Sequence, residues 1–544
     1  MEATPDCGGV CAEVVIDTET EQAQESWGAW LVTMMQYYEY KQTIAYFKVF
    51  EGWGGFVQAL PGCYSMYRYE ALKGQPLNEF FKLINSAQEP TCWEANEYLV
   101  EDRLLTNNVY YQKGAGYRTD YCVGAPAFTD APNDLESLMK QRRRWSNGFL
   151  FGELTTLLNV HNVLGFNGQT HSIVQRLKML IYVPILVVNK AMGWINPAIM
   201  LTQMKYMCVY AAQGYCDTPA FKAAHPDAWR FFTNDPASMG FQSAVNLSLL
   251  FLMTLAVLAS IGAQIKDSMG YFKVVLGALQ VYTLFSQVGT FAMIRHFGLR
   301  DASGEINVLL VNAALMWAVL FCPFFFKPLD FLANPMKYTV GLVCYYLSYF
   351  WWYVIITVYA MCNLDDVTWG NRPSNSSKGM NVVVDNEKRQ EILRQSYRST
   401  RTNILIAWLI ANVSLMFLID CLVLSAVHNG NAALRATCQT FIKGWAFYCC
   451  VNCVLVLGLS GIHHFTGFVS QLICSKYTPA AIKARKTISS DPEAKVLLDD
   501  TEEEEAYIPP VVLNKKKAAS SKKGKSDFET DEDPSYFSDD LESH

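Results

Sequence analysis

The densest chemical signal in the chain is Gln141-Arg142-Arg143-Arg144-Trp145, downstream of Glu101-Asp102-Arg103. Adjacent guanidinium groups fix phosphate oxygens through charge-assisted, often bidentate hydrogen bonds. The indole face of Trp145 offers a sugar ring an apolar plane. An isolated carboxylate such as Asp102 can take the proton from an attacking hydroxyl. From residue 173 the chain turns strongly apolar. A base, a cationic cluster with an indole, then membrane: that order suits sugar transfer at a bilayer surface. Three arginines alone read equally well as a juxtamembrane patch held by anionic lipid. Asp102 upstream and the attached Trp145 favour the chemical reading.

These two stretches together resemble the processive family-2 glycosyltransferases, and within them the chitin synthases. Three more segments carry the likeness. Ala59-Leu60-Pro61-Gly62-Cys63 runs into Tyr64-Ser65-Met66-Tyr67-Arg68. Gln36-Tyr37-Tyr38-Glu39-Tyr40-Lys41 follows a family helix. Residues 362–372 (CNLDDVTWGNR) resemble a signature that cellulose and hyaluronan synthases lack, with Asn371 where the family usually has Thr. The likeness runs from about residue 7 to about residue 470.

The resemblance implies roles. Asp102 would be the general base for the acceptor's 4-hydroxyl. Gln141 and Trp145 would hold the acceptor end, with Glu101 orienting its loop. Arg143 and Arg144 would approach the donor diphosphate and help UDP leave. Leu60, Pro61 and Gly62 would gate a channel entrance, or form a plain tight turn. Thr368, Trp369, Gly370 and Arg372 would contact a sugar, or anchor a loop. The implied partners are UDP-GlcNAc, a growing β-1,4-linked chitin chain for the cell wall and a lipid bilayer, with a homodimer expected in the plasma membrane. Mg2+ or Mn2+ is also implied. In the family the acids that hold uridine and metal precede the strand resembled by residues 7–13, so the metal's ligands are not expected in this chain. It is accordingly expected to lack the donor-binding half. Asp17 and Glu19 read as solvated.

Composition sets the frame for these residues. Of 544 residues, 51% are hydrophobic and only 17% charged, concentrated into long uncharged runs, which implies a polytopic membrane protein. A net charge of −6 argues against nucleic acid as a partner. The 16 cysteines show no paired CxxC spacing and are expected as free thiols. No signal peptide is visible in residues 1–12.

Strand patterns at 10–16, 62–67 and 116–124, with a connection at 125–128, alternate with helical patterns at 26–50, 77–86, 94–108 and 135–158. The expected fold is therefore an α/β domain, partial GT-A-like by resemblance, over residues 1–172. An α-helical multi-span membrane domain should follow at 173–364. A polar signature loop (365–401), the last spans (402–475) and a disordered charged tail (476–544) complete the chain.

Apolar runs lie at 179–204, 236–265, 274–294, 306–326, 338–364, 402–427 and 444–474. Lys190 interrupts the first; it either lines a channel, with Asp420 as partner, or snorkels to the interface. The basic 365–401 loop and the catalytic half both belong in the cytosol, which requires an even number of crossings between them. Five runs intervene, so one should be re-entrant or interfacial, either the Lys190 run or the Pro-punctuated 321–335 region; if all five cross, the signature loop faces outside. Tyr345, Tyr346, Tyr349, Phe350, Trp351, Trp352 and Tyr353 are stacking rungs of a tunnel, or core and interfacial belt. His463 and His464 read as interfacial. Two rival readings stand beside the synthase: a catalytically incomplete membrane subunit, and a cellulose- or hyaluronan-type synthase. The signature argues against the second.

Overall fold

A Val-rich strand lies at the centre of a small mixed sheet. In the computed structural model this is β1 (Cys7–Ile16), buried nearly throughout, as a strand covered on both faces must be. Residues 4–85, 89–112, 114–164, 171–216, 218–232, 240–261, 265–297, 308–368, 387–428 and 432–473 are described. β1 pairs antiparallel with β2 (Ser65–Tyr67) and parallel with β3 (Arg118–Thr129), in the order β2-β1-β3. β3 is one strand where the sequence suggested a strand and a connection; two register shifts along β1 absorb its irregularity. Gly9 is required where the sheet meets the next loop: a Cβ there would lie 2.6 Å from Leu60 Cδ1.

Around the sheet lie the short α1 (Glu21–Gln24), then α2 (Trp27–Thr43), capped by Ser26 Oγ, which accepts from Ala29 N. α2 runs through a π-helical turn (Ile44–Lys48) into α3 (Val49–Gly54), which ends at Gly55 in the left-handed region, φ 69°. α4 (Tyr69–Leu72) and α5 (Gln75–Asn85) follow. The helix expected over 94–108 is two helices, α6 (Cys92–Tyr98) and α7 (Glu101–Tyr111). Leu99 and Val100 are both buried at the break, and Val100 leaves the helical region at φ −124°, ψ 58°. α8 (Leu135–Val163) carries the arginine run and starts at Asp134, whose side chain accepts from Ser137 N.

The apolar half comprises α9 (Ile173–Cys216), α10 (Pro219–Ala224), α11 (Pro226–Phe232), α12 (Gly240–Ile261), α13 (Ile265–Phe297), α14 (Val308–Phe326), α15 (Pro328–Ala333), α16 (Pro335–Leu347), a π-helical turn (Trp351–Ile355) leading into α17 (Ile356–Cys362), α18 (Glu387–His428) and α19 (Ala432–Ile473). Four described segments are long and apolar enough to cross a membrane: Ile173–Val209, Gly240–Ile261, Glu391–Cys421 and Phe447–Gly467. Pro335–Leu347 and Trp351–Cys362 form a pair bent by 50°, a fifth candidate if the pair is one span. The break thus falls in the 338–364 run. The Lys190 run is part of a continuous helix, and the 321–335 region is divided among the end of α14, α15 and the start of α16.

Met1–Leu472 form one compact unit. Its main core joins the sheet's helices to the apolar half. Tyr38, fully buried, donates to Leu320 O at 2.7 Å, and Tyr37 meets Tyr338 edge-on. Charge joins the same parts. Glu13 of β1 pairs with Lys41 of α2 at 2.8 Å and with Lys327 after α14, and Lys41 reaches Asp330 of α15 at 2.9 Å. Burial alone would lift the Glu13 carboxyl, but the two ammonium groups outweigh it and hold it below the usual range. Asp17 and Glu19 remain at the surface, Glu19 80% exposed.

Candidate active site

The α6–α7 break puts Asp102 in the first turn of α7, where the helix's positive end favours a carboxylate. Asp102 Oδ1 accepts from Arg103 N at 2.7 Å. Its carbonyl accepts from Thr106 Oγ1 at 2.6 Å, and Leu60 N donates to the same hydroxyl at 3.2 Å. The Leu60-Pro61-Gly62 segment is thereby tied to the helix of Asp102. Tyr64 N donates to Pro61 O at 2.9 Å, so the segment is a tight turn, with Leu60 buried and Gly62 exposed. Burial, with a further push from the Asp102 carboxylate, raises the Tyr67 hydroxyl above its ordinary value. The Tyr40 ring of α2 lies 6.4 Å from that of Trp145. The helices that carry Asp102 and Trp145, α7 and α8, pack against each other.

The three arginines take three different partners. Arg142 grips Glu39 of α2 with both nitrogens, at 2.9 and 3.3 Å. Its guanidinium lies 4.3 Å from the Trp145 ring centroid and 4.9 Å from that of Trp352. Burial lifts the Glu39 carboxyl above its usual range against the pull of Arg142. Arg143, 1% exposed, pairs with Asp366 and donates to Thr368 O. Burial pulls its guanidinium down to about 10. Arg144 donates to Leu99 O at 3.0 Å, just before Asp102. The signature loop holds Arg143, and Arg144 holds the α6–α7 break.

Glu101 and Trp145 are half-buried. Gln141 Oε1 is screened from solvent and has no hydrogen-bond partner among the described residues. Thr368 is anchored by Asp366, whose Oδ1 accepts from its N at 3.0 Å and its Oγ1 at 2.7 Å; Asp365 pairs with Arg401 at 3.2 Å. Trp369, Gly370 and Arg372 lie outside the described residues.

Several residues at the site carried no recognisable signal. Gly148 and Gly152 of α8 let that helix approach the break closely: a Cβ at Gly148 would lie 2.5 Å from Val100 Cγ2, and one at Gly152 would lie 2.7 Å from Arg103 Cδ. Arg103, 3% exposed, meets Gln58 Oε1 at 3.0 Å, and burial brings its guanidinium down to about 10. Lys190 pairs with Glu153 of α8; Asp420, the partner expected for it, takes Lys205 and the Tyr206 hydroxyl instead. The reason is length. Residues 190 and 205 are about 22 Å apart along α9 at 1.5 Å per residue, so only one reaches the level of Asp420.

The Trp352 ring lies 6.4 Å from that of Tyr345, which lines a cavity of about 140 Å³. Tyr345, Tyr346, Tyr349, Phe350 and Tyr353 line it, together with Gln42, Gln203, Thr283, Ser286 and Gln287. Trp351 is instead fully buried in the core, and Trp352 packs on Arg142. The uncharged hydrogen-bonding residues on α9 and α13 were the visible signal for this cavity, hidden among apolar neighbours. His463 bonds Tyr121 O at 3.3 Å and His464 stacks on Phe326, so both pack against protein. Among the described residues no three His, Cys, Asp or Glu side chains converge to hold a metal ion. The divalent cation implied by the resemblance therefore does not fit the residues described, and no chemical step is derived through it.

Comparison with known proteins agrees with the motifs. Residues 1–160 match the model of a chitin synthase-like glycosyltransferase domain. Chitin synthase 1 of Phytophthora sojae is 23% identical over 444 residues, 76% of this chain and 45% of that protein. Chitin synthase 2 of Cryptococcus neoformans is 26% identical over 411 residues, covering 71% and 41%. Chitin synthase 1 of Saccharomyces cerevisiae is 24% identical over 412 residues, covering 72% and 33%. The chain spans less than half the length of these relatives. The chain is thus similar to chitin synthases over 71–76% of its length, and to a chitin synthase-like glycosyltransferase domain over residues 1–160.

Proposed function

We propose that this chain contributes the acceptor side and the conduit of a processive transferase, built on a GT-A-like sheet, that moves N-acetylglucosamine from UDP-GlcNAc onto a growing β-1,4-linked chain in the plasma membrane. The acceptor's terminal 4-hydroxyl hydrogen-bonds to Asp102, which takes its proton as the oxygen attacks the anomeric carbon. The carbon–oxygen bond to UDP breaks with inversion, and UDP departs with the bonding pair. Trp145 stacks against the terminal sugar, and the unpartnered Gln141 Oε1 accepts from one of its hydroxyls. Arg142 keeps the indole in place from behind. Arg143 pairs with Asp366, so Asp366 competes with a donor diphosphate for that guanidinium.

The observation that supports this reading is a run of contacts from Trp145 through Arg142 to Trp352, whose ring lies 6.4 Å from that of Tyr345 in the wall of an aromatic-lined cavity. A hydrophilic polymer leaving Asp102 has a stacking platform, then a path with both apolar planes and hydrogen-bonding groups. The test is transfer by the protein as its source cell makes it, in membranes: label from UDP-GlcNAc should enter a chitinase-sensitive polymer. Asp102→Asn should abolish that without lowering the unfolding midpoint. Undiminished synthesis by Asp102→Asn would remove Asp102 from the mechanism.

A further inference from the structure

Arg103 follows the proposed base and is almost fully buried, yet no step of the transfer uses it. Its backbone N–H already holds the Asp102 carboxylate. Its guanidinium meets Gln58 Oε1 at 3.0 Å and Glu153 Oε1 at 3.8 Å, and lies 3.8 Å from the Phe149 ring centroid. Both polar partners continue onto the same membrane-crossing helix. Gln58 Nε2 donates to Tyr182 OH of α9 at 2.6 Å. The other oxygen of Glu153 pairs with Lys190 of α9, whose Nζ lies 4.5 Å from the same Phe149 ring. Tyr182 and Lys190 are about 12 Å apart along α9. The helix thus grips Arg103 at two heights, once through a carboxamide and once through a carboxylate.

We propose that Gln58 and Glu153 are positioning residues that couple the membrane-crossing helix α9 to the base Asp102, with Lys190 as the counter-charge that keeps Glu153 from drawing Arg103 away from Gln58. This rests on the reading of Asp102 as the transfer base. The charge balance carries it. One buried carboxylate serves two cations, and it holds Arg103 more loosely than it holds Lys190. Without Lys190, Glu153 has only Arg103 to neutralise it, and Arg103 swings toward α8. Without Glu153, Lys190 loses its ion pair and Arg103 is left with the pull of Glu51 and Asp102. Without both, Arg103 keeps Gln58 and Phe149 and stays in place. Gln58 lies two residues before Leu60, so a shift of Arg103 also reaches the turn that carries Cys63. α9 lines the cavity with Gln203 and Met204, so whatever occupies the cavity bears on the helix that holds the base.

The test uses Glu153→Gln, Lys190→Met and the double variant of the whole protein in membranes. Initial rates are measured for UDP-GlcNAc transfer to a chito-oligosaccharide. Each single variant should lose about tenfold or more in kcat, a fraction of the ~10²-fold that a 1 Å misplacement can cost, with KM for UDP-GlcNAc within about twofold. The double variant should recover to within about threefold of wild type, as coupled sites do. A second readout needs no activity: alkylation of exposed Cys63 by a small maleimide, followed on its peptide by mass spectrometry. Its rate should change in both singles and return in the double. Singles with unchanged kcat and unchanged Cys63 reactivity would overturn the coupling, as would a double variant worse than either single. If the wild type transfers no sugar while Cys63 still shows loss and return, the transfer reading fails and the linkage survives.

Discussion

Gly148→Ala is a small change placed where the account leaves no room. The added Cβ would lie 2.5 Å from Val100 Cγ2, 2.7 Å from Cγ1 and 3.0 Å from Asn96 O. Carbon atoms pack at about 3.5–4.0 Å, so roughly 1 Å of separation must be found. Asn96 O belongs to the backbone of α6 and cannot swing aside, so the relief must come from α8 moving off the α6–α7 break. Val100 is the last residue before α7, two before Asp102. Overpacking of this kind costs about 1–3 kcal/mol, and the helix-forming gain of Ala over Gly offsets about 1 kcal/mol. The unfolding midpoint should therefore fall only slightly. The rate should fall far more, on the order of 10²-fold for a 1 Å displacement of a catalytic group. Val100→Ala in the same chain removes both methyl contacts and leaves only the Asn96 contact, so most of the rate should return. Initial-rate kinetics with a chito-oligosaccharide acceptor, alongside thermal unfolding, separate the two effects. Wild-type kcat in Gly148→Ala, or no recovery on adding Val100→Ala, would refute the geometry proposed for the break.

Four further outcomes follow from the same contacts. Arg142→Ala leaves the buried Glu39 carboxylate without its guanidinium and should cost about 3 kcal/mol or more, read as a lower midpoint in chemical or thermal unfolding. Trp145→Ala should raise KM for the oligosaccharide acceptor about tenfold while leaving KM for UDP-GlcNAc unchanged, and Trp145→Phe should fall between. Asp366→Asn releases Arg143 from its ion pair; if Asp366 competes with the donor diphosphate, KM for UDP-GlcNAc should fall. Acid should loosen the Glu13–Lys41–Lys327 clasp. The Glu13 carboxyl sits below its ordinary value in the folded protein, so its contribution is complete above about pH 4.5 and is lost as pH falls through the lower folded value. The unfolding midpoint should drop below about pH 4, and Glu13→Gln should remove that part of the acid dependence.

The elements that seat the candidate site were legible where chemistry repeats along the chain. The α8 helix shows its periodicity, and the arginine run sits where that pattern put it. β1 announced itself by composition, although it starts at Cys7, earlier than its Val-rich part implies. The break at Leu99 and Val100 was not legible, because apolar spacing runs straight through it and only burial against α8 decides it. Pairings over long distances were equally hidden. Arg142 finds Glu39 and Arg143 finds Asp366, and nothing local distinguishes those carboxylates from others. Lys190 shows the limit of reasoning from charge alone: two intramembrane charges seemed natural partners, but helix rise puts Lys205 at the level of Asp420 and leaves Lys190 beside Glu153.

The most direct measurement is a structure of the whole protein, in membrane-like surroundings, with a bound chito-oligosaccharide. The terminal sugar should lie flat against Trp145, its 4-hydroxyl within about 3 Å of an Asp102 oxygen, the distance a proton transfer needs. The following sugars should pass Trp352 into the cavity lined by Tyr345, Tyr349 and Tyr353. An oligosaccharide bound elsewhere, or bound at Trp145 with Asp102 directed away from it, would contradict the account.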